Sequence, residues 1–430
     1  MGGGPGEPGG PRAGPARLVH GAGRRHVQPL HLLPVLAVDA QSRPAATLSD
    51  VALTAVFLAA IFLPPLAALF GAAPTAGLTE KRAPASPPAL TGHLRALKTF
   101  PQRFDAYWND AFGFRSTLVR SYNRLALTIG VTPSNKVVIG TAGWLFVGQD
   151  YGAVEYYRAT HLFSREQLVW WQHVLETRRD WLARRGARYL FLVAPDKHTI
   201  YPEYMPATLN RVGTATRLDQ LIAHLEANSD FRILDLRAVL RQAKAHDAIY
   251  EPLDSHWNDL GAWFAYHEIV KQVGVWFPGV QPLPLASYDR RWVSGQGNDL
   301  AALLSLSDLL PGERLTLVPR TPRRARWLET HGPLPLGSVA LSVSEMDDPS
   351  LPRAVVLHDS FGDILQPFLA EHFARGVYSR QNRFAAELIE RERPDIVLHE
   401  MVERSLMTDF SADPTEVTRA WPDGGAEPRS

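Results

Sequence analysis

Short apolar runs typical of buried strands alternate with longer segments of helical periodicity along most of this chain. The strand-like runs are Tyr189–Val193, Phe231–Leu236, Ala354–Leu357 and Asp395–His399. The helix-like segments are Thr214–Ala227, Leu260–Val273 and Phe361–Phe373. Strands that are joined by helices run parallel, and their sheet needs helices on both faces to bury its apolar side chains. The sequence therefore predicts an α/β fold, a doubly wound and mostly parallel sheet flanked by helices, over residues 131–407.

An uncharged apolar segment, Val51–Ala73, precedes this predicted domain. As a helix, the segment would extend about 35 Å, which is enough to cross the hydrocarbon core of a bilayer. The apolar run up to Leu63 is followed by two prolines and by the small residues Gly71–Ala73, a pattern that also fits a cleaved signal peptide. Anchor and signal both stay open, but either one places the rest of the chain outside the cytoplasm.

The remaining segments are assigned from their composition. Residues 1–45 are rich in Gly, Pro and Arg and are predicted to be disordered. Residues 46–75 then form the transmembrane anchor or signal segment, and residues 76–130 form a linker with a helical lead-in. Residues 281–350 contain Pro/Arg-rich and short β-like pieces, and we expect them to make an excursion at one edge of the sheet. Residues 408–430 are predicted to be a flexible tail.

The composition excludes several classes of function. Lys and Arg number 45 against 44 Asp and Glu, so the chain lacks the positive field that a nucleic-acid-binding protein needs. It contains no cysteine, which excludes thiolate metal sites and a cysteine nucleophile. Covalent catalysis would therefore use Ser, Thr, Lys or a carboxylate. No nucleotide-binding glycine motif is present, and we predict no cofactor.

Reactive side chains follow a predicted strand at the position where open parallel sheets bind their ligands. Ser360 lies between such a strand and a helix, beside helix-start amides that favour the negative charge of an oxyanion. Asp254 and His256 lie two residues apart in a polar loop before another helix. An imidazole held by a carboxylate can accept the proton of a serine hydroxyl. Ser360, His256 and Asp254 are therefore candidates for nucleophile, general base and orienting residue.

Other interpretations of these residues stay open at this point. Asp254 and Ser360 are residue types that cap helices, and His256 fits a hydrogen-bonded core histidine. Alternatively, Asp254 and His256 could join His358 and Asp359 in a metal site for hydrolysis. Adjacent residues of an extended strand point to opposite faces, so His358 and Asp359 would need a turn between them to bind one ion. We therefore predict no metal.

The order of several motifs resembles the SGNH-hydrolase-like domain of the alginate O-acetyltransferase type. The similarity covers about 300 residues beyond the apolar segment. The matching stretches are FxxxxxDxFGFR (Phe104–Arg115), NKVVIGTAGWLF (Asn135–Phe146), APDKHTIYPE (Ala194–Glu203), DSHWN (Asp254–Asn258), HDSF (His358–Phe361) and PDIVLHEMVERSL (Pro394–Leu406). Their collinear order, more than any single motif, carries the resemblance.

This resemblance implies a function and a set of roles. It implies a periplasmic O-acetyltransferase, membrane-anchored or secreted, in which Ser360 is acetylated, His256 is the base and Asp254 orients it. The amide of Ser360 would be an oxyanion donor. A polysaccharide would be the acceptor, and a multipass membrane acyltransferase would supply the acetyl groups. A carbohydrate acetylesterase with the same triad and a non-catalytic polysaccharide-binding or assembly protein stay open as alternatives.

Two positions depart from the family pattern. His358 stands where the family more often has glycine or another small residue, and Ser255 stands where it commonly has threonine. A bulky side chain at 358 could alter the turn that presents Ser360. Lys197 and Arg404 lie in matching motifs, where they would either bind substrate or form structural ion pairs.

The apolar segment predicts that the domain is exported. Alkaline phosphatase fused after Pro88 should be active, because this enzyme needs to leave the cytoplasm, and a cytoplasmic reporter fused at the same site should be inactive. The opposite pair of results would show that the domain stays inside the cell.

Overall fold

The computed structural model of the protein describes residues 47–70, 85–89, 94–328 and 341–407. The chain divides into two compact units, residues 1–60 and residues 61–430. In the first unit, the described residues form the opening part of a long apolar helix. Of the described residues, 48–68 make one helix that is long and apolar enough to span a membrane, with a mean hydropathy of 2.3. This helix agrees with the predicted N-terminal membrane segment, whereas the predicted disordered head and flexible tail lie outside the described residues.

The described helices of more than one turn are numbered in chain order. They are α1 (Leu48–Leu69), α2 (Leu94–Ala111), α3 (Arg115–Thr128), α4 (Ala153–Arg158), α5 (Arg165–Ala183), α6 (Lys197–Ile200), α7 (Arg217–Asn228), α8 (Arg237–Lys244), α9 (Asp259–Trp276), α10 (Asp299–Leu303), α11 (Gly362–Leu369) and α12 (Ala386–Glu392). The strands are β1 (Val137–Ile139), β2 (Leu145–Val147), β3 (Arg188–Ala194), β4 (Leu234–Asp235), β5 (Tyr288–Ser294), β6 (Glu313–Pro319), β7 (Arg326–Leu328), β8 (Leu341–Glu345), β9 (Arg353–His358), β10 (Arg375–Arg380) and β11 (Ile396–Val402).

Seven strands form the main sheet, in the order β4-β3-β11-β9-β10-β8-β7. The first five run parallel to one another, and β8 and β7 extend the sheet antiparallel at one edge. The central strands are almost continuously apolar because helices cover both of their faces. The predicted α/β class, with a mostly parallel sheet flanked by helices, is therefore confirmed.

The two faces of the sheet belong to two separate apolar clusters. Leu192 and Val356 pack with α8, α9 and α11 on one face, whereas Phe191 and Val355 pack with α5, α7 and α12 on the other. Successive side chains of a strand point to opposite faces, so one apolar run serves both clusters. The parallel strands β3, β11 and β9 are neighbours in the sheet, so their carboxyl ends lie side by side at one edge of it.

Several elements differ from the sequence-based expectations. The predicted strand Phe231–Leu236 is only two residues long, Leu234–Asp235, and β10 was not predicted because Arg and Ser interrupt its apolar pattern. In residues 281–350, β5 and β6 pair as a separate two-stranded sheet. The later strands of this segment, β7 and β8, join the main sheet instead.

The loop before α9 is fixed by close backbone packing. Asn258 caps the helix, because its side-chain oxygen accepts hydrogen bonds from the amides of Leu260 and Gly261 at 3.1 and 3.0 Å. A Cβ atom at Gly261 would lie 2.4 Å from the carbonyl oxygen of Ile249 and 2.9 Å from Cβ of Trp257. Only glycine therefore allows α9 to start this close to the preceding loop.

Because of this close packing, one added methyl group at Gly261 should destabilise the protein. Gly261→Ala should lower the free energy of unfolding by roughly 1–3 kcal/mol, the usual cost of overpacking, because backbone atoms have to move. Chemical denaturation of the full chain in detergent micelles measures this change. Gly279→Ala is the matched control, since a Cβ there meets nothing within 4 Å. Equal stability of the two variants would contradict the prediction.

Candidate active site

The structure brings the three predicted triad residues together. Ser360 follows β9 and precedes α11, whereas Asp254 and His256 lie in the loop before α9. Oγ of Ser360 lies 2.8 Å from Nε2 of His256, and Nδ1 of His256 lies 2.8 Å from Oδ1 of Asp254. The same carboxylate oxygen also accepts a hydrogen bond from the backbone amide of His256, at 2.9 Å. This is the geometry that a serine nucleophile, its base and an orienting carboxylate require.

Helix capping does not account for these residues. Asn258, rather than Asp254, is the N-cap of α9. The N-cap position of α11 is Phe361, and no side chain caps that helix. The capping interpretation of Asp254 and Ser360 is therefore wrong.

The surroundings of Asp254 lower the pKa of its carboxyl group, so that it can stabilise a positively charged imidazole. Burial alone would raise the pKa of its carboxyl, but the hydrogen bonds from the ring and amide of His256, and the charge of the ring, lower the pKa to about 2. The carboxyl is thus ionised at neutral pH. A fixed carboxylate on Nδ1 leaves Nε2 to accept the proton of Ser360 and stabilises the imidazolium that forms.

A second carboxylate, Asp299, lies beside the base and was not predicted. It accepts hydrogen bonds from the amide and the hydroxyl of Ser255 at 2.7 and 2.6 Å, and its Oδ2 lies 3.6 Å from Nδ1 of His256. Burial raises the pKa of Asp299, and the negative charge of Asp254 raises it further. Asp299 opens α10, within the segment 281–350, where no strand or helix pattern in the sequence pointed to the site.

Lys197 holds the loop that carries the base. Its ammonium nitrogen donates to the backbone carbonyls of Glu251, Pro252 and Asp254 at 3.1, 3.0 and 2.6 Å. Burial lowers the pKa of Lys197 to about 7, against the opposing effect of nearby carboxylates, Asp299 first. Of the two predicted roles, substrate binding or an ion pair, neither describes these contacts, since Lys197 fixes the backbone of the loop.

Arg404 forms the ion pair that was one of its two predicted roles. Its guanidinium pairs with the buried carboxylate of Asp196, and its amide donates to the same carboxylate at 2.9 Å. The neighbouring Glu403 accepts hydrogen bonds from the amide of Asp196 and the hydroxyl of Thr199. Burial raises the pKa of Glu403 to about 7. The motifs at Ala194–Glu203 and Pro394–Leu406 therefore interlock beside the triad.

The turn that presents Ser360 is held by two acidic residues, the half-buried Asp359 and the buried Glu400. Asp359 accepts hydrogen bonds from the amides of Phe361 and Val402 at 2.9 and 2.8 Å, and its own amide donates to Glu400 at 3.1 Å. Burial, with the charge of Asp359, raises the pKa of Glu400 well above its usual range. The sequence had suggested Asp359 only as a metal ligand, and Glu400, which lies within β11, was not predicted.

His358 lies beneath this turn. Its side chain is 1% exposed, its Nδ1 donates to the carbonyl of Asp359 at 2.7 Å, and Gln366 donates to its Nε2 at 3.1 Å. A Cβ at Gly362 would lie 2.4 Å from Cβ of His358, so glycine at 362 makes room for the imidazole. The bulky residue at 358 is accommodated below the nucleophile and does not fill the space above it.

Two clusters among the described residues have ligand types that suit a metal ion. They are Asp254 with His256 and Asp299, and Asp196 with His198 and Glu403. His358 and Asp359 join neither cluster, so the metal site considered from the sequence is not formed. In the first cluster the imidazole nitrogens bond Asp254 and Ser360, and in the second the charge of Asp196 is balanced by Arg404.

A model of one known protein family matches part of this chain. Residues 137–334 match the model of the family described as "SGNH hydrolase-like domain, acetyltransferase AlgX". The matched range contains Asp254, His256 and Asp299 and ends before Ser360.

Two curated relatives bear the name "Probable alginate O-acetylase AlgJ". The protein of Pseudomonas aeruginosa is 29% identical over 42% of this chain and 42% of its own length. That of Azotobacter vinelandii is 25% identical over 44% of this chain and 46% of its own. The chain thus matches less than half the length of these relatives.

Solved structures can also be superposed on this chain. The O-acetyltransferase domain of Pseudomonas putida AlgJ gives a TM-score of 0.40 at 19% identity, covering 65% of this chain and 95% of that one. Bacillus cereus PatB1 gives 0.45 at 15% identity, covering 64% and 98%. Superpositions this loose say nothing about chemistry. The family model and the curated relatives, however, confirm the predicted resemblance to the SGNH-hydrolase-like domain of the alginate O-acetyltransferase type.

Proposed function

We propose that this protein is an exported O-acetyltransferase that transfers acetyl groups to polysaccharide hydroxyls through an acetyl-enzyme on Ser360. The observation that carries the proposal is the continuous hydrogen-bonded chain from Ser360 through His256 to Asp254, with both links at 2.8 Å. The relatives named for alginate acetylation support acetyl as the group and a polysaccharide as the acceptor.

The proposed reaction has two halves. In the first, His256 takes the proton of Ser360 while Oγ attacks the acetyl carbonyl carbon, and the proton then passes to the leaving group of the donor. In the second, the acceptor hydroxyl gives its proton to His256 and attacks the acetyl-serine ester, and Ser360 leaves and recovers that proton. Asp254 stabilises the imidazolium in both halves, and the Ser360 amide is the candidate oxyanion donor.

The N-terminal helix is the basis for the proposed cellular location of this reaction. α1 would anchor the protein in the membrane, with the α/β domain on the periplasmic side. Acetyl groups made in the cytoplasm would then have to cross the bilayer, so we propose a multipass membrane acyltransferase as the supplying partner. A catalytic protein of this kind needs a formed triad, whereas a binding or assembly protein on the same fold does not.

Asp299 is proposed as a positioning residue for the base. It binds the amide and hydroxyl of Ser255, the residue between the two triad members of the loop, and its charge lies 3.6 Å from Nδ1 of His256. Both effects favour the imidazole orientation that faces Ser360.

The triad proposal predicts large and non-additive losses of activity. Ser360→Ala and His256→Ala should each lower acetyl transfer on the order of 10³-fold or more, and the double variant should be little worse, because the two residues act as one unit. Asp254→Asn should also lose activity, since the amide favours the wrong imidazole tautomer. Mass spectrometry after exposure to an acetyl ester should find one acetyl group on the Ser360 peptide, absent in Ser360→Ala.

Controls separate the transferase from its alternatives. Release of acetate without transfer to any oligosaccharide would indicate an esterase, and a wild-type protein that never becomes acetylated would favour a binding protein. Full transferase activity in Ser360→Ala would refute the mechanism.

Asp299→Asn should lower kcat for acetyl transfer about tenfold, because a hydrogen bond to a charged group contributes roughly 1.5–3 kcal/mol. The KM for the donor should stay unchanged, since Asp299 contacts the loop of the base and not the substrate. The control is Asp308→Asn, an exposed carboxylate later in the same segment. A loss of equal size in both variants, or a change in KM alone, would count against the positioning role.

A further inference from the structure

A cavity of about 580 Å³ lies near the triad, and Arg404 is the one residue of its described wall whose contacts have been given above. Its walls include Asp150, Tyr151, Glu155, His161 and Arg404. The volume falls within the range of pockets that bind small molecules or a few sugar units. None of these residues was predicted to bind a ligand except Arg404.

The ring of Phe361 links the wall of the cavity to His256. The guanidinium of Arg404 lies 5.6 Å from the centre of the Phe361 ring, and that ring lies 4.9 Å from the imidazole of His256. Phe361 directly follows Ser360 in the chain. The wall residue Arg404 and the imidazole of His256 therefore both contact the ring of Phe361, so a polymer with one unit in the cavity would have its next units close to Ser360.

Tyr151 is another wall residue, and its hydroxyl lies within electrostatic range of the same site. Burial raises the pKa of its hydroxyl, and the charges that act on this hydroxyl include those of Asp150, Arg404 and Asp299. Asp299 is the carboxylate next to His256. The ring of Tyr151 is 37% exposed, so it offers an aromatic surface with a polar end, which suits the C–H face and the hydroxyls of a sugar.

The charges around the cavity are predominantly negative. Among the described residues, no Lys or Arg forms an ion pair with Asp150 or Glu155, and one carboxylate oxygen of Glu155 is buried without a hydrogen-bond partner. The only guanidinium in the described wall, that of Arg404, is already paired with Asp196. His161 is hydrogen-bonded to the hydroxyl of Thr160 at 3.1 Å.

One more cation lies close by but does not line the cavity. Arg217 donates to the carbonyls of His161 and Leu406 at 2.8 and 2.6 Å, behind the wall. The carboxylates of the lining would thus accept hydrogen bonds from sugar hydroxyls, whereas a sugar that carries its own carboxylate would face like charges without a free cation to bind it.

We propose that this cavity is the acceptor subsite, and that it selects an uncharged sugar over a uronate. The inference rests on the proposed function, because the acceptor hydroxyl has to reach the acetylated Ser360. Tyr151 stacks on the sugar ring, and Asp150 and Glu155 accept hydrogen bonds from its hydroxyls.

The test measures binding without catalysis. The full-length Ser360→Ala protein in detergent micelles is titrated calorimetrically with neutral tetrasaccharides (cellotetraose and mannotetraose) and with tetramannuronate. At low ionic strength, at least one neutral tetrasaccharide should bind ten times more tightly than the uronate, and added salt should narrow this gap because it screens the repulsion. Tighter binding of the uronate, or no binding of either neutral sugar, would overturn the proposal.

Variants assign the binding to this cavity. Tyr151→Ala should weaken binding of the neutral sugar at least tenfold, whereas Tyr122→Ala, an exposed tyrosine on α3, should leave it unchanged. Replacing Asp150 with Asn and Glu155 with Gln together should strengthen binding of the uronate severalfold. Unchanged affinities in these variants would also overturn the proposal.

Failure of the subsite is distinguishable from failure of the proposed function. A wild-type protein that becomes acetylated on Ser360 but binds no neutral sugar would refute the subsite alone. Neutral sugar binding that depends on Tyr151, without any acetylation, would refute the transferase and leave the subsite standing.

Discussion

The buried amino group of Lys197 determines where the loop that carries Asp254 and His256 lies. Lys197, at the carboxyl end of β3, donates to three carbonyls of the loop segment 251–254. A polar group this deeply buried is tolerated only when its hydrogen bonds are complete, so these carbonyls have to converge on it. The loop is thereby tied to the central sheet, and the positions of Asp254 and His256 follow from that of β3.

Ser360 is held by a similar principle, with carboxyl groups in place of the amine. Asp359, in the turn after β9, and Glu400, on the adjacent strand β11, are neighbouring acids, and amides from the turn and from β11 converge on them. Both halves of the triad are thus attached to neighbouring strand ends by buried polar groups rather than by apolar packing alone. Such groups fix geometry because a displaced partner would leave a buried polar group without its hydrogen bonds.

The sequence predicted the elements with strong periodicity and the residues with distinctive chemistry. The apolar runs of β3, β9 and β11 were recognisable because burial on both faces removes polar residues from them, and Ser360, His256 and Asp254 occupy post-strand or loop positions. β10 was missed because Arg and Ser interrupt its pattern, and β4 is short because only Leu234 and Asp235 pair with β3. Asp299 could not be predicted from local pattern, since its approach to His256 depends on the tertiary path of an irregular segment.

The contact between His256 and Ser360 joins residues that are 104 positions apart. β11, which lies between β3 and β9 in the sheet, is the last strand of the described chain. A polypeptide is synthesised from its N-terminus, so His256 is made long before Ser360, and closing so long a loop is a late event in folding. The hydrogen-bonded chain from Ser360 to Asp254 therefore cannot form in a nascent protein until β9 has been made, and the contact of Glu400 with the turn before α11 waits until β11, the last described strand, enters the middle of the sheet.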